Sequence, residues 1–165
     1  MQRELERTVQ PSLLDRLTDL DPRLSADARI TFAESLRQFK DSVQRDLEWL
    51  LNTRCTPEEV PELFEEVQRS LYRYGLPDIT SFSRDSRRSR QHLLQRIEEA
   101  ITLFEPRLSD VRLRMVEQEG EQHRRELRFA VAATLHMDPT PEQVVFDTVL
   151  EFSSGEYQVA GAQNA

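Results

Sequence analysis

The hydrophobic period of this chain changes once, at a proline, and that change limits the folds open to it. Up to Phe104 the apolar residues recur every three or four positions, as in Leu93, Leu94, Ile97, Ile101 and Phe104, the spacing of one face of an α-helix. Beyond Arg107 the spacing is two: Val111, Leu113 and Met115 alternate with Arg112 and Arg114. Pro106 separates the two regimes, because proline cannot continue a helix and it pushes the residue before it out of helical geometry. Helices followed by alternating strands predict an α+β domain, three main helices and then an antiparallel β-meander.

Each element has local support. Thr31 with Glu34 three residues on is a capping box, and the helix it opens carries Phe32, Leu36, Phe39, Val43, Leu47 and Leu50 in one stripe. Trp49 falls about 120° from that stripe and is expected to be covered within the fold. A second helix is expected from Pro61 through Leu63, Val67, Leu71 and Tyr74, closed by Gly75. A third begins near Ser83 or Ser86 and ends at Pro106. QEGEQH makes the first hairpin turn, Leu127 to Leu135 supplies the second strand, Val144 to Phe152 the third, and SSGE turns into a short YQV strand.

The expected organisation is one compact domain over 31–160. A loose N-terminal segment, 1–30, precedes it and a disordered tail, 161–165, follows. Within the first segment SLLDRL carries Leu13, Leu14 and Leu17 on a helical turn too short to stand alone, for docking on its own domain or on a partner.

The sequence offers little to a catalyst. Glu58 with Glu59, Glu65 with Glu66 and Glu98 with Glu99 are adjacent on helices, so each pair diverges by about 100° and shares no site. His92, His123 and His136 lack metal-ligand spacing, and Cys55, the one cysteine, has no histidine near it in sequence. No metal and no cofactor are expected. A net charge of −8 disfavours nucleic acid, and no apolar run approaches the roughly eighteen residues that span a bilayer. With a charged N-terminus and a single cysteine, the chain is expected to be cytoplasmic. SRDSRRSR, residues 83–90, is the one basic cluster and is expected to be a solvated lead into a helix.

Glu105-Pro106-Arg107 stands apart from these. Spacing alone favours a structural salt bridge. The alternative is a docking key, in which the proline fixes an acid and a guanidinium so that both project from a rigid corner.

The motifs SLLDRL (12–17), SVQRDLEWLLNTR (42–54), YGLPDI (74–79), FEPRL (104–108) and VVFDTVLEFSSGEYQV (144–159) resemble the TssE family of type VI secretion baseplate subunits. That family is similar to the wedge proteins of contractile phage tails, historically called lysozyme-like. The resemblance covers residues 12–159. Arg73 departs from an expected asparagine, and RCTPEEVPEL and SRDSRRSR are particular to this chain.

The resemblance implies a structural protein without catalysis, in a baseplate docked at the inner-membrane secretion complex. Its partners would be other wedge subunits, met at their helical core bundle, the contractile sheath, whose first layer joins its strands, and the inner tube. Glu105, Pro106 and Arg107 would be the partner-binding residues. On this view Arg107→Glu is expected to leave the domain folded and to prevent co-purification with wedge partners. A peptidoglycan-cleaving, lysozyme-like enzyme is the alternative that the old label suggests. A third reading, an adaptor with no sheath, would be indicated by a 144–152 strand already paired along both edges.

Overall fold

A computed structural model describes residues 9–18, 30–58, 60–61, 63–78, 86–116, 125–138 and 140–164. The QEGEQH turn with His123, residues 83–85 of the basic cluster, Glu59 and residue 165 therefore lie outside the described residues. The chain is α+β. Its helices are α1 (Leu13–Leu17), α2 (Phe32–Asn52), α3 (Glu65–Gln68) and α4 (Arg87–Phe104), with a 3₁₀ turn at Leu71–Arg73. Five strands follow: β1 (Leu108–Met115), β2 (Glu126–Leu135), β3 (Glu142–Glu151), β4 (Glu156–Val159) and β5 (Gln163–Asn164).

The sheet is an antiparallel meander in the order β1-β2-β3-β4, with β5 pairing β3 beyond the end of β4. Alternation decides its faces: in β2, Leu127, Phe129, Val131, Ala133 and Leu135 are all buried while Arg128 between them is exposed. α2 lies over β4 and α4 over β1, so the two helices cover one face of the sheet. Phe39, Val43, Leu47 and Leu50 from α2 and Leu93, Ile97 and Ile101 from α4 meet Phe129, Phe146 and Tyr157 in a single core. Each such side chain contributes about 1.5–3 kcal/mol by leaving water.

The α2 capping box forms as its sequence predicts, Thr31 and Glu34 each satisfying the other's backbone amide. α4 starts at the Ser86 cap, three residues later than the Ser83 alternative.

Four expectations need correction. The segment after Pro61 does not form a long helix. It makes only α3 and the 3₁₀ turn, with Leu63 84% and Leu71 82% exposed. The chain is held there by its backbone: Leu76 N–H donates to Thr53 O at 2.8 Å and Cys55 N–H to Leu76 O at 3.0 Å. Gly75 permits this, at φ +104° and with Thr53 O only 2.3 Å from where a Cβ would stand.

Trp49 is not covered; it is 52% exposed, under the Arg45 guanidinium at 5.0 Å. In the tail, Gln163 and Asn164 are in β5, paired with Val145 and Val144. Finally, the SLLDRL turn is tied to the domain through its polar side. Asp15 pairs with Arg45 at 2.7 Å, the nearby Val9 amide reaches Ser35 Oγ at 3.1 Å, and Leu13, Leu14 and Leu17 all face solvent.

Candidate functional site

The corner at 105–107 begins where α4 loses its register. Glu105 N–H still closes the last helical bond to Ile101 O at 2.9 Å, but Pro106 has no amide with which to continue. The chain turns back at once: Leu108 N–H donates to Glu105 O at 3.0 Å, and Arg107 O accepts from His136 N–H at 2.8 Å, fastening the corner to the end of β2.

The two charges do not project together. Glu105 is only 5% exposed. Its carboxylate takes Arg107 Nε at 2.6 Å on Oε1 and Nη2 on Oε2, a bidentate pair within one turn of chain. The guanidinium then reaches α2, donating to Asp46 Oδ2 at 2.6 Å and to Ser42 Oγ at 3.4 Å, over the Phe39 ring at 5.8 Å. Pro106 alone of the triplet is exposed.

Burial alone would weaken the charge on Arg107, but Glu105 and Asp46 outweigh it and raise its pKa above the ordinary arginine value. The Tyr74 phenol beside them is pushed up, first by burial and then by the Asp46 and Glu105 charges, while its ring packs edge-on against Phe104 at 5.3 Å.

Arg107 is thus a clamp between α2, α4 and β1. Reversing it would set a third carboxylate against Glu105 and Asp46, so Arg107→Glu is expected to destabilise the domain as well as to change the corner. Sequence reasoning missed Ser42 and Asp46. The available signal was their i, i+4 spacing beside a buried stripe, with Phe39 three residues before Ser42.

The sheet edges complete the site. Antiparallel strands turn successive residues' backbone groups alternately toward and away from a neighbour. On β4, Ala160 N–H points inward to Asp147 O, so Tyr157 and Val159 point out. α2 meets them there: Asn52 Oδ1 accepts from Tyr157 N–H at 2.9 Å, its Nδ2 donates to Tyr157 O at 2.8 Å, and Gln44 Nε2 donates to Val159 O at 2.6 Å.

On β1, Val116 N–H points inward to Arg128 O, so Leu113 and Met115 point out. Glu98 Oε2 covers the Leu113 N–H at 3.4 Å. Among the described residues nothing meets the Met115 amide or carbonyl, and the Met115 and Val116 side chains are exposed.

Residues 37–140, more than half of the chain and including the corner and all of β1, match the model of the baseplate wedge protein gp25 family. The chain belongs to that family. TssE subunits belong to it too, so the resemblance read from the sequence and this match agree. No curated protein and no solved structure matches the chain. Membership in the gp25 family gives the chain a structural role in the baseplate of a contractile tail system, with other baseplate proteins as its neighbours.

The structure adds one carboxylate pair that the sequence reading did not find. Glu126 and Glu151 stand opposite each other across β2 and β3, in a shallow cavity of about 430 Å³ with Arg125, Arg128 and Gln158. Arg128 ion-pairs with Glu126 at 2.8 Å, and Glu151 is exposed. The cavity lining beside the two glutamates is mostly polar, Arg125, Arg128 and Gln158, with Val149 the one apolar residue among the described residues. Among the described residues no group of His, Cys, Asp and Glu is placed to hold a metal ion, and no helix is long and apolar enough to cross a membrane.

Proposed function

We propose that this gp25-family chain is a non-catalytic subunit of a type VI secretion baseplate, cytoplasmic and docked at the inner-membrane secretion complex. It joins the helical core bundle of the other wedge subunits at the 105–107 corner, through the exposed face of Pro106 and the outer rim of Arg107. It offers the contractile sheath a sheet edge.

The observation that carries the reading is the asymmetry of that sheet. β3 is flanked by β2 along its whole length on one side and by β4 and β5 at 148–151 and 144–145 on the other, so most of both its edges is taken. The β4 rim is occupied by α2 side chains. The end of β1 is the edge where, among the described residues, main-chain groups stand without a partner, and an added strand could pair with them by β-augmentation.

The pairing of β3 along both edges also favours the second reading, an adaptor that joins wedge subunits and never meets the sheath. Co-purification of the tagged chain from its native cell, read by mass spectrometry, separates the two. Wedge subunits together with sheath support the proposal; wedge subunits without sheath, under conditions where sheath assembles, support the adaptor. Pro106→Ala, folded by circular dichroism, is expected to lose the wedge subunits. Their retention would remove the corner as the docking point. Release of fragments from cell-wall material by the purified chain, abolished by Glu126→Gln or Glu151→Gln, would instead favour an enzyme.

A further inference from the structure

Along the outer side of α4, where the short α3 and the 3₁₀ turn cross it, lies a cleft of about 320 Å³. Ala100, Leu103 and Phe104 give it an apolar lining, and a second depression on α4, lined by Gln95, Glu98, Glu99 and Thr102, adjoins it through the shared Arg69 and Leu103. Arg69, Arg73 and Arg96 line it. Glu99 engages Arg96 at 3.1 Å, whereas Arg69 and Arg73 hold no ion pair among the described residues.

Two guanidiniums without an ion pair among the described residues, at one cleft in a chain of net charge −8, run against the overall field of the protein. Guanidinium forks match carboxylates in plane and spacing. Loss of the long helix expected after Pro61 explains the cleft, since a continuous helix would have carried these arginines on one solvated face.

We propose that this cleft binds a short acidic segment of a partner protein, with carboxylates on Arg69 and Arg73 and an apolar side chain against Leu103 and Phe104. A peptide fits better than a free phosphate. Leu103 and Phe104 beside the guanidiniums give a peptide's apolar side chain a contact that a free phosphate cannot use. The site stands on its own geometry and does not depend on sheath attachment or on the 105–107 corner.

Cys55, the only cysteine of the chain, lines the same cleft and is partly accessible, so it reports occupancy directly. The probe is a fluorescent dodecapeptide of alternating Glu, Leu and Asp; a Lys, Leu and Arg peptide and inorganic phosphate serve as controls. The acidic peptide is expected to bind the full-length chain at low salt, to weaken as the ionic strength rises, and to slow alkylation of Cys55 by iodoacetamide. Arg69→Glu with Arg73→Glu is expected to weaken it about tenfold or more, and the paired Gln variants by less. These side chains make no internal ion pair or hydrogen bond among the described residues, and an unchanged melting curve verifies the fold. Equal binding by the charge-reversed variant, or unslowed alkylation at saturation, would overturn the proposal. So would phosphate displacing the peptide at equal concentration.

Discussion

At the β4 edge a single side chain of α2, Asn52, accepts from the Tyr157 amide and donates to its carbonyl, and Gln44 takes the carbonyl two residues on. At the β1 edge α4 provides one long contact, Glu98 to the Leu113 amide at 3.4 Å, and Met115 has no partner on that side among the described residues. The two helices lie over the same face of one sheet, so the difference is not one of position. It lies in which side chains face the rim: an amide can act as a strand of one residue because it both donates and accepts, whereas a carboxylate only accepts. A sheet with one rim plugged and the other partly open can add a strand on one side only, which gives assembly a direction.

The largest effect is expected where β1 starts. Arg107 joins that end of the strand to Asp46 on α2, and His136 N–H fixes its carbonyl. Arg107→Glu leaves Glu105, which is 5% exposed, facing like charges, at a cost of about 3–5 kcal/mol. For a chain of this size that lowers Tm by about 10 °C, measured by thermal denaturation at neutral pH. A melting point within about 2 °C of wild type would show that the corner does not anchor the β1 edge.

Next is the plugged rim. Asn52→Ala strips partners from two Tyr157 backbone groups and is expected to cost about 1–3 kcal/mol in urea denaturation. The comparison makes a further demand: the variant should self-associate on sedimentation, since a second edge has been opened. A stable monomer would mean that the plug is a capping contact with no bearing on assembly.

Sequence periodicity predicted the strands because buried and exposed faces alternate at period two, as the buried Leu127, Phe129, Val131, Ala133 and Leu135 of β2 show. The plugged rim was not legible. Asn52 and Gln44 are ordinary helix-surface residues until β4, more than a hundred positions later, comes to lie beside them. The corner was half legible. Pro106 announced the stop, but the inward turn of Glu105 and Arg107 depends on Asp46, 61 residues away on α2. The helix expected after Pro61 failed for a different reason. Its apolar spacing was correct, but main-chain bonds between Leu76, Thr53 and Cys55, with Gly75 at positive φ, hold the segment where no helix fits. Leu63 and Leu71 then had no core to enter.

A third test acts on the open rim alone. Met115→Pro removes an amide that points away from β2, so no ladder bond is lost, and the cost is expected to stay below about 1 kcal/mol by urea denaturation. Co-purification with sheath should nevertheless disappear while wedge subunits remain. Sheath binding unchanged by the proline would shift the attachment away from this end of β1.

The smallest effect belongs to Glu98, and it probes the comparison most finely. Glu98 takes the Leu113 amide at 3.4 Å and Arg112 Nη1 at 3.5 Å, both long and half in solvent. Surface pairs of this kind contribute about 0.2–1 kcal/mol, so Glu98→Gln should change the unfolding free energy from urea denaturation by no more than that. A carboxylate can only accept from the rim, so it satisfies the Leu113 amide and leaves the Leu113 carbonyl bare. An amide in its place can turn either its oxygen or its nitrogen toward the rim, and so mimic what Asn52 does at β4. If the rims differ because of side-chain chemistry, Glu98→Gln should weaken sheath recovery two- to threefold at constant stability, about 0.5 kcal/mol. Recovery that rises instead would mean that the carboxylate itself was the plug, held over Leu113 until an incoming strand displaces it.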